Sequence, residues 1–241
     1  MDGKKRNQLN KIRRLLCSFP LVVILGPRQC GKSTLAKMLG KDWKYFDLEK
    51  PSHYQQISND PELFFREYPD KVIIDEAQIS PKIFEVLRGV IDSDRSKKGR
   101  FLLTGSSSFE LMTQTTESLA GRVALVELSL FKMNEFNDEP ASDFFGLFNQ
   151  KIKIENLGDL KNLTSRKSIK EIKHYLLWGG YPEPTLSKSE TFRLDWQENY
   201  YDTYINRDMR ALFPRLDLIK YRRVVGMLAS LSGTIINIDA D

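Results

Sequence analysis

Leu21-Val22-Val23-Ile24-Leu25-Gly26-Pro27-Arg28-Gln29-Cys30-Gly31-Lys32-Ser33-Thr34 decides how this chain is read. Leu21 to Leu25 is an unbroken apolar run, which fits a buried strand. The residues after it satisfy G-x-x-x-x-G-K-[ST]. Glycine turns through backbone conformations that other residues avoid. A turn of that kind aims consecutive N–H groups inward as a nest for phosphate oxygens. Ser33 to Leu39 reads as a helix with Leu35, Met38 and Leu39 on one face, and its positive end faces the same place. Lys32 reaches terminal phosphates, and the Ser33 hydroxyl can ligate Mg²⁺. Gly26, Pro27, Arg28, Gln29, Cys30, Gly31, Lys32, Ser33 and Thr34 together form a candidate phosphate cradle. The plain alternative is a Gly-rich strand–helix turn that holds nothing.

A second signal is Lys71-Val72-Ile73-Ile74-Asp75-Glu76. An apolar strand delivers two adjacent carboxylates to its C-terminal end, the ligand edge of a parallel sheet. Asp75 would hold Mg²⁺ through water, and Glu76 would orient and polarise an attacking water. A third is Leu102-Leu103-Thr104-Gly105-Ser106-Ser107-Ser108, another strand ending in small polar residues. One hydroxyl there, with Thr104 and Ser106 among the candidates, would contact the γ-phosphate or the attacking water. Helix N-capping is the equal alternative. A fourth is Arg122 in Leu119-Ala120-Gly121-Arg122, which is either a neutraliser of phosphoryl charge or a surface arginine.

The rest of the chain supplies the frame. Further strands are expected at Lys44–Leu48 and Val123–Leu128, and helices near Leu9–Leu16, Ile83–Ile91 and Phe109–Leu119. Strands alternating with helices imply a mainly parallel sheet covered on both faces. That block ends near residue 130. Residues 131–168 read as a connection with short helices. Residues 169–241 read as helical, with Gly179-Gly180-Tyr181-Pro182 between helices, a long helix over Thr191–Phe213, and another over Leu216–Leu231.

The chain has 241 residues, ordinary hydrophobic content and a net charge of +5. No apolar run approaches bilayer-spanning length, and the basic N-terminus lacks the features of a signal peptide. These point to a cytoplasmic protein with no membrane partner. Two cysteines and two histidines, widely spaced, give no metal-binding pattern. Lys4, Lys5, Arg6, Lys11, Arg13 and Arg14 make either a nucleic-acid arm or the solvated face of an amphipathic helix carrying Leu9, Ile12, Leu15 and Leu16. Cys30, inside the loop, is either oxidation-sensitive or a small tolerated residue.

With these signals in this order, the chain resembles AAA+ ATPases. It is most similar to the predicted prokaryotic ATPases that pair an AAA+ module with a C-terminal domain of unknown function. The resemblance rests on Phe19-Pro20, Gly26-Pro27-Arg28-Gln29, Gly31-Lys32-Ser33, Asp75-Glu76-Ala77-Gln78, Leu103-Thr104-Gly105-Ser106, Leu119-Ala120-Gly121-Arg122, Gly179-Gly180-Tyr181-Pro182 and Tyr204-Ile205-Asn206-Arg207-Asp208. It implies an α/β fold, a three-layer P-loop NTPase sandwich with a mainly parallel five-stranded sheet, followed by a helical lid-like region. It implies that the Thr104–Ser107 segment is a first sensor and that Arg122 is an arginine finger aimed at a neighbouring subunit's nucleotide. It also implies that Arg207 or Arg210 senses nucleotide from the lid. Relatives continue into a further domain, and this chain is expected to stop near where that domain begins.

The leading expectation is Mg²⁺-dependent hydrolysis of ATP to ADP and phosphate, coupled to conformational change. ATP rather than GTP follows from the resemblance and from the lack of an Asn-Lys-x-Asp pattern. A second reading is a nucleotide-responsive interaction module, linked to DNA, with little or no turnover. A third is a kinase using the same loop, which would need an acceptor pocket. A homo-oligomer, a nucleic acid and a protein partner all stay open.

Overall fold

The computed structural model describes residues 3–106, 119–142, 158 and 167–231. They fall in two compact units, Met1–Leu186 and Ser187–Asp241.

The first unit is built on five parallel strands: β1 (Leu21–Gly26), β2 (Lys44–Asp47), β3 (Val72–Asp75), β4 (Phe101–Ser106) and β5 (Val123–Glu127). Their order across the sheet is β2-β3-β4-β1-β5. Parallel strands need crossovers, and the helices that make them cover both faces. This explains why β1 is apolar throughout, since both of its faces are buried. Leu21, Val23 and Leu25 point to one side. There they meet Ile57 of α3 (Pro51–Ser58), Phe64 and Phe65 of α4 (Pro61–Glu67), and Ile83, Leu87 and Ile91 of α5 (Lys82–Asp92). Val22 and Ile24 point to the other side. They meet Leu9, Ile12 and Leu16 of α1 (Gln8–Leu16), and Leu35 and Ala36 of α2 (Lys32–Lys37). The result is the three-layer α/β sandwich the sequence implied, with all five strands parallel.

The expected strands and the helices at α1, α2 and α5 are present. α3 and α4 interrupt a stretch the sequence left unassigned. Each is opened by a proline in its first turn, and Asp60 caps α4 by accepting a bond from the Leu63 amide at 2.9 Å. The expected Phe109–Leu119 helix lies almost wholly outside the described residues, as do Ser107, Ser108, most of the 131–168 connection and residues 232–241.

After β5 come α6 (Met133–Phe136), α7 (Ile169–Trp178) and α8 (Pro182–Leu186). α7 and α8 lie in the first compact unit. The reason is a local tie. The Phe131 amide donates to the Gly180 carbonyl at 2.8 Å, and the Tyr175 hydroxyl donates to the Phe131 carbonyl. Gly180 is needed there, because a Cβ would collide with the Phe131 carbonyl oxygen.

The second unit is helical. α9 (Glu190–Thr203) runs into a wider π-type turn over Tyr204–Met209 and a last turn at Arg210–Leu212, ending before Pro214. α10 (Leu218–Ser230) follows, capped by Asp217. This matches the expected long helix and its successor, with the π turn as a feature no periodicity announced.

Candidate nucleotide site

Strand order places the site. β4 lies between β1 and β3, so the ends of all three meet at one sheet edge. In register, Gly26 faces Ser106 and Ile24 faces Thr104, while Ile74 faces Leu103. The Gly26–Thr34 loop, the hydroxyls of β4 and the Asp75-Glu76 pair are therefore neighbours, although they are separated by up to about eighty residues of sequence.

The loop has the backbone that a nest requires. Gln29 sits at φ 60° and Gly31 at φ 95°, both in the left-handed region. Gly26 is held to zero side chain for another reason. A Cβ there would meet the Leu128 carbonyl oxygen at less than van der Waals distance. Lys32 is buried and folds back over the loop, donating to the carbonyls of Gly26 at 3.0 Å and Pro27 at 2.9 Å. Ser33 is half-buried, and Thr34 is exposed.

A buried arginine, unassigned to this site by the sequence, supports the loop from below. Arg6 is only 4% exposed. Its guanidinium donates to the Cys30 carbonyl at 2.8 Å, the Ser129 carbonyl at 2.7 Å and the Glu135 carboxylate at 3.1 Å, and it lies 4.7 Å over the Phe131 ring. Glu135 also accepts from the Asn7 and Lys132 amides. Arg6 is thus an internal brace, and it leaves the expected basic arm. α1, which follows it, is an amphipathic helix: Leu9, Ile12 and Leu16 are buried, while Lys11, Arg13 and Arg14 face solvent. Cys30 is fully buried, and burial pushes its thiol pKa up despite nearby Lys32 and Arg6. A covered thiol with a raised pKa is a poor redox sensor, which favours the reading of Cys30 as a small tolerated residue.

Across the edge, Asp75 is 3% exposed and both carboxylate oxygens are engaged. The Thr104 hydroxyl donates to one, and the Tyr45 hydroxyl donates to the other. Thr104 also accepts from the Glu76 amide at 3.4 Å. One hydroxyl on β4 thereby touches both members of the acidic pair. Ser106 stands further along, at the end of β4 beside Gly26. Glu76 has φ 55°, a strained conformation for a side chain other than glycine. It is half-buried, and its carboxylate accepts from the Gln78 amide. The other end of that amide, Gln78 Oε1, is buried without a hydrogen-bond partner among the described residues. Ser33 and Asp75 offer hard oxygen donors, one neutral and one anionic, which is the donor chemistry that suits Mg²⁺.

One expected residue, Arg122, stands elsewhere in the first unit. Arg122 precedes Val123, which pairs with Leu21 at the opposite end of β1, about 17 Å of strand from the loop. Its guanidinium forms a fork on Asp92 with two 2.7 Å bonds. Arg207 and Arg210 are exposed residues of the second unit.

A phosphate-binding loop after β1, an acidic pair after β3 and a polar β4 between them define the P-loop nucleoside triphosphatases, and this sheet has their α/β fold. Residues 18–137 belong to the AAA+/P-loop ATPase family: they match the AAA domain model. Residues 169–240 match a domain of unknown function. The chain is 31% identical over 232 residues to uncharacterised proteins of Mycobacterium bovis and Mycobacterium tuberculosis. That match covers 95% of this chain but 45% of each relative, so the chain spans about half the length of the curated relatives it matches. Its fold is also similar to that of a Walker-type ATPase of Pyrococcus abyssi, with TM-score 0.56 and 17% identity, covering 99% of this chain and 88% of that one. Among the described residues, no helix is long and apolar enough to cross a membrane.

Proposed function

We propose that the chain binds ATP with Mg²⁺ at the Gly26–Thr34 loop and hydrolyses it to ADP and phosphate, with binding coupled to a conformational change. The observation that carries this reading is the meeting of three strand ends at one edge, with Lys32 and the loop amides on one side and Asp75-Glu76 on the other. Lys32 would exchange the carbonyls of Gly26 and Pro27 for phosphate oxygens, a stronger, charge-assisted pairing. Glu76 would orient the attacking water and accept its proton. Thr104 would hold the Asp75 carboxylate and the Glu76 backbone in place. Mg²⁺, held by Ser33 and Asp75, would neutralise charge on the phosphates. Arg122 cannot reach its own loop from the far edge of the sheet. A finger role for it requires a second copy of the chain, and requires Asp92 to release it.

A second reading, a nucleotide switch with little turnover, draws on the Gln78 amide bound to Glu76. A carboxylate held that way is a weaker base. Phosphate release with Mg²⁺-ATP, measured beside nucleotide binding, separates the two. Hydrolysis predicts that Glu76→Gln lowers release about 10²-fold or more while ATP stays bound. Binding without release in the unaltered chain would leave the switch.

A further inference from the structure

We infer that Tyr45 is a positioning residue for the Mg²⁺-binding carboxylate: its hydroxyl, together with that of Thr104, orients Asp75. This deepens the ATPase reading and rests on it. Tyr45 lies on β2, two strands away from β4 and outside every motif of the loop. β2 pairs only with β3, with Tyr45 beside Ile73 and Asp47 beside Asp75. This edge strand projects a half-buried phenol toward the acidic pair. The Tyr45 hydroxyl donates to the Asp75 oxygen that Thr104 leaves free. Lys37, one helical turn beyond Ser33, lies 4.2 Å over the Tyr45 ring and holds it against α2.

The chain of donors has one consistent direction. Thr104 and Tyr45 each give a proton to the ionised Asp75, which can only accept. Asp75, fixed at both oxygens, needs no reorganisation when the cation arrives. Tyr45→Phe would keep the ring packing and the Lys37 contact but break the link to Asp75.

The test is equilibrium binding of a fluorescent ATP analogue to the full chain, in EDTA and across a Mg²⁺ titration. Tyr45→Phe should bind in EDTA as the unaltered chain does. Its half-saturating Mg²⁺ concentration should rise about tenfold, the scale of one lost hydrogen bond to a charged group. Tyr45→Phe combined with Asp75→Asn should match Asp75→Asn alone, because the tyrosine acts through that carboxylate. A melting curve coinciding with that of the unaltered chain shows that the effect is not unfolding. Superimposable Mg²⁺ titrations, or a shift to lower Mg²⁺, would overturn the role of Tyr45 and leave the ATPase reading standing. An unaltered chain that binds the analogue identically with and without Mg²⁺ would remove both.

Discussion

The two ends of β1 are five residues apart and carry opposite kinds of polar chemistry. At the Leu21 end, charge is closed on itself. Arg100, 5% exposed, donates to the Pro69 carbonyl at 3.1 Å, the Asp70 carboxylate at 3.0 Å and the Val90 carbonyl at 2.9 Å, and lies over the Phe101 ring. Arg122 is forked onto Asp92, and that pairing holds the Asp92 carboxyl well below the usual carboxylate range. At the Gly26 end, the groups hold one another loosely enough to be re-used. Lys32 rests on neutral carbonyls, Glu76 on an amide, and Asp75 on two hydroxyls. A cation paired with a carboxylate is already satisfied. A cation resting on carbonyls gains when a phosphate arrives. The difference separates charges that hold the fold from charges available to a ligand.

Arg122 is the residue that would break this division, since it sits at the closed end yet has a candidate catalytic role. Arg122→Ala should lower turnover about 10³-fold in an assembled form while leaving nucleotide affinity unchanged. Unchanged turnover would make it a structural residue and sharpen the contrast. Next in size is Arg100→Ala, which strands buried carbonyls. It should cost about 2–3 kcal/mol in denaturant unfolding without altering nucleotide affinity in the folded fraction. A loss of affinity there would mean that the two ends are coupled. The smallest effect concerns Cys30. Burial covers the Cys30 sulfur and pushes its thiol pKa up, whereas Cys17 is exposed. Iodoacetamide should label Cys17 well before Cys30, with nucleotide protecting neither strongly. Fast labelling of Cys30 would show that the loop opens.

Much of this was legible in the sequence because it is local. The loop from Gly26 to Thr34 is one contiguous signature, and Asp75-Glu76 follows an apolar strand directly. β1, β3 and β4 were readable because buried parallel strands are short apolar runs. What escaped is non-local or weakly periodic. Tyr45 and Arg6 reach the site through strand register and burial, with no fixed spacing from the loop. Gln78 was visible beside the acidic pair, but its hold on Glu76 depends on a left-handed turn. α3 and α4 bury few apolar residues each, so helical periodicity is faint, and Pro51 and Asp60-Pro61 were the signals available. The far placement of Arg122 follows from sheet order, which no single motif encodes.

The most direct test of the open end is calorimetric titration of the chain with a slowly hydrolysed ATP analogue and Mg²⁺, comparing the unaltered protein with Lys32→Ala. Saturable binding that weakens about a hundredfold in Lys32→Ala is the predicted result, given the strength of charged hydrogen bonds to phosphate. Equal affinity in the two proteins would contradict the assignment of the Gly26 end as the nucleotide site.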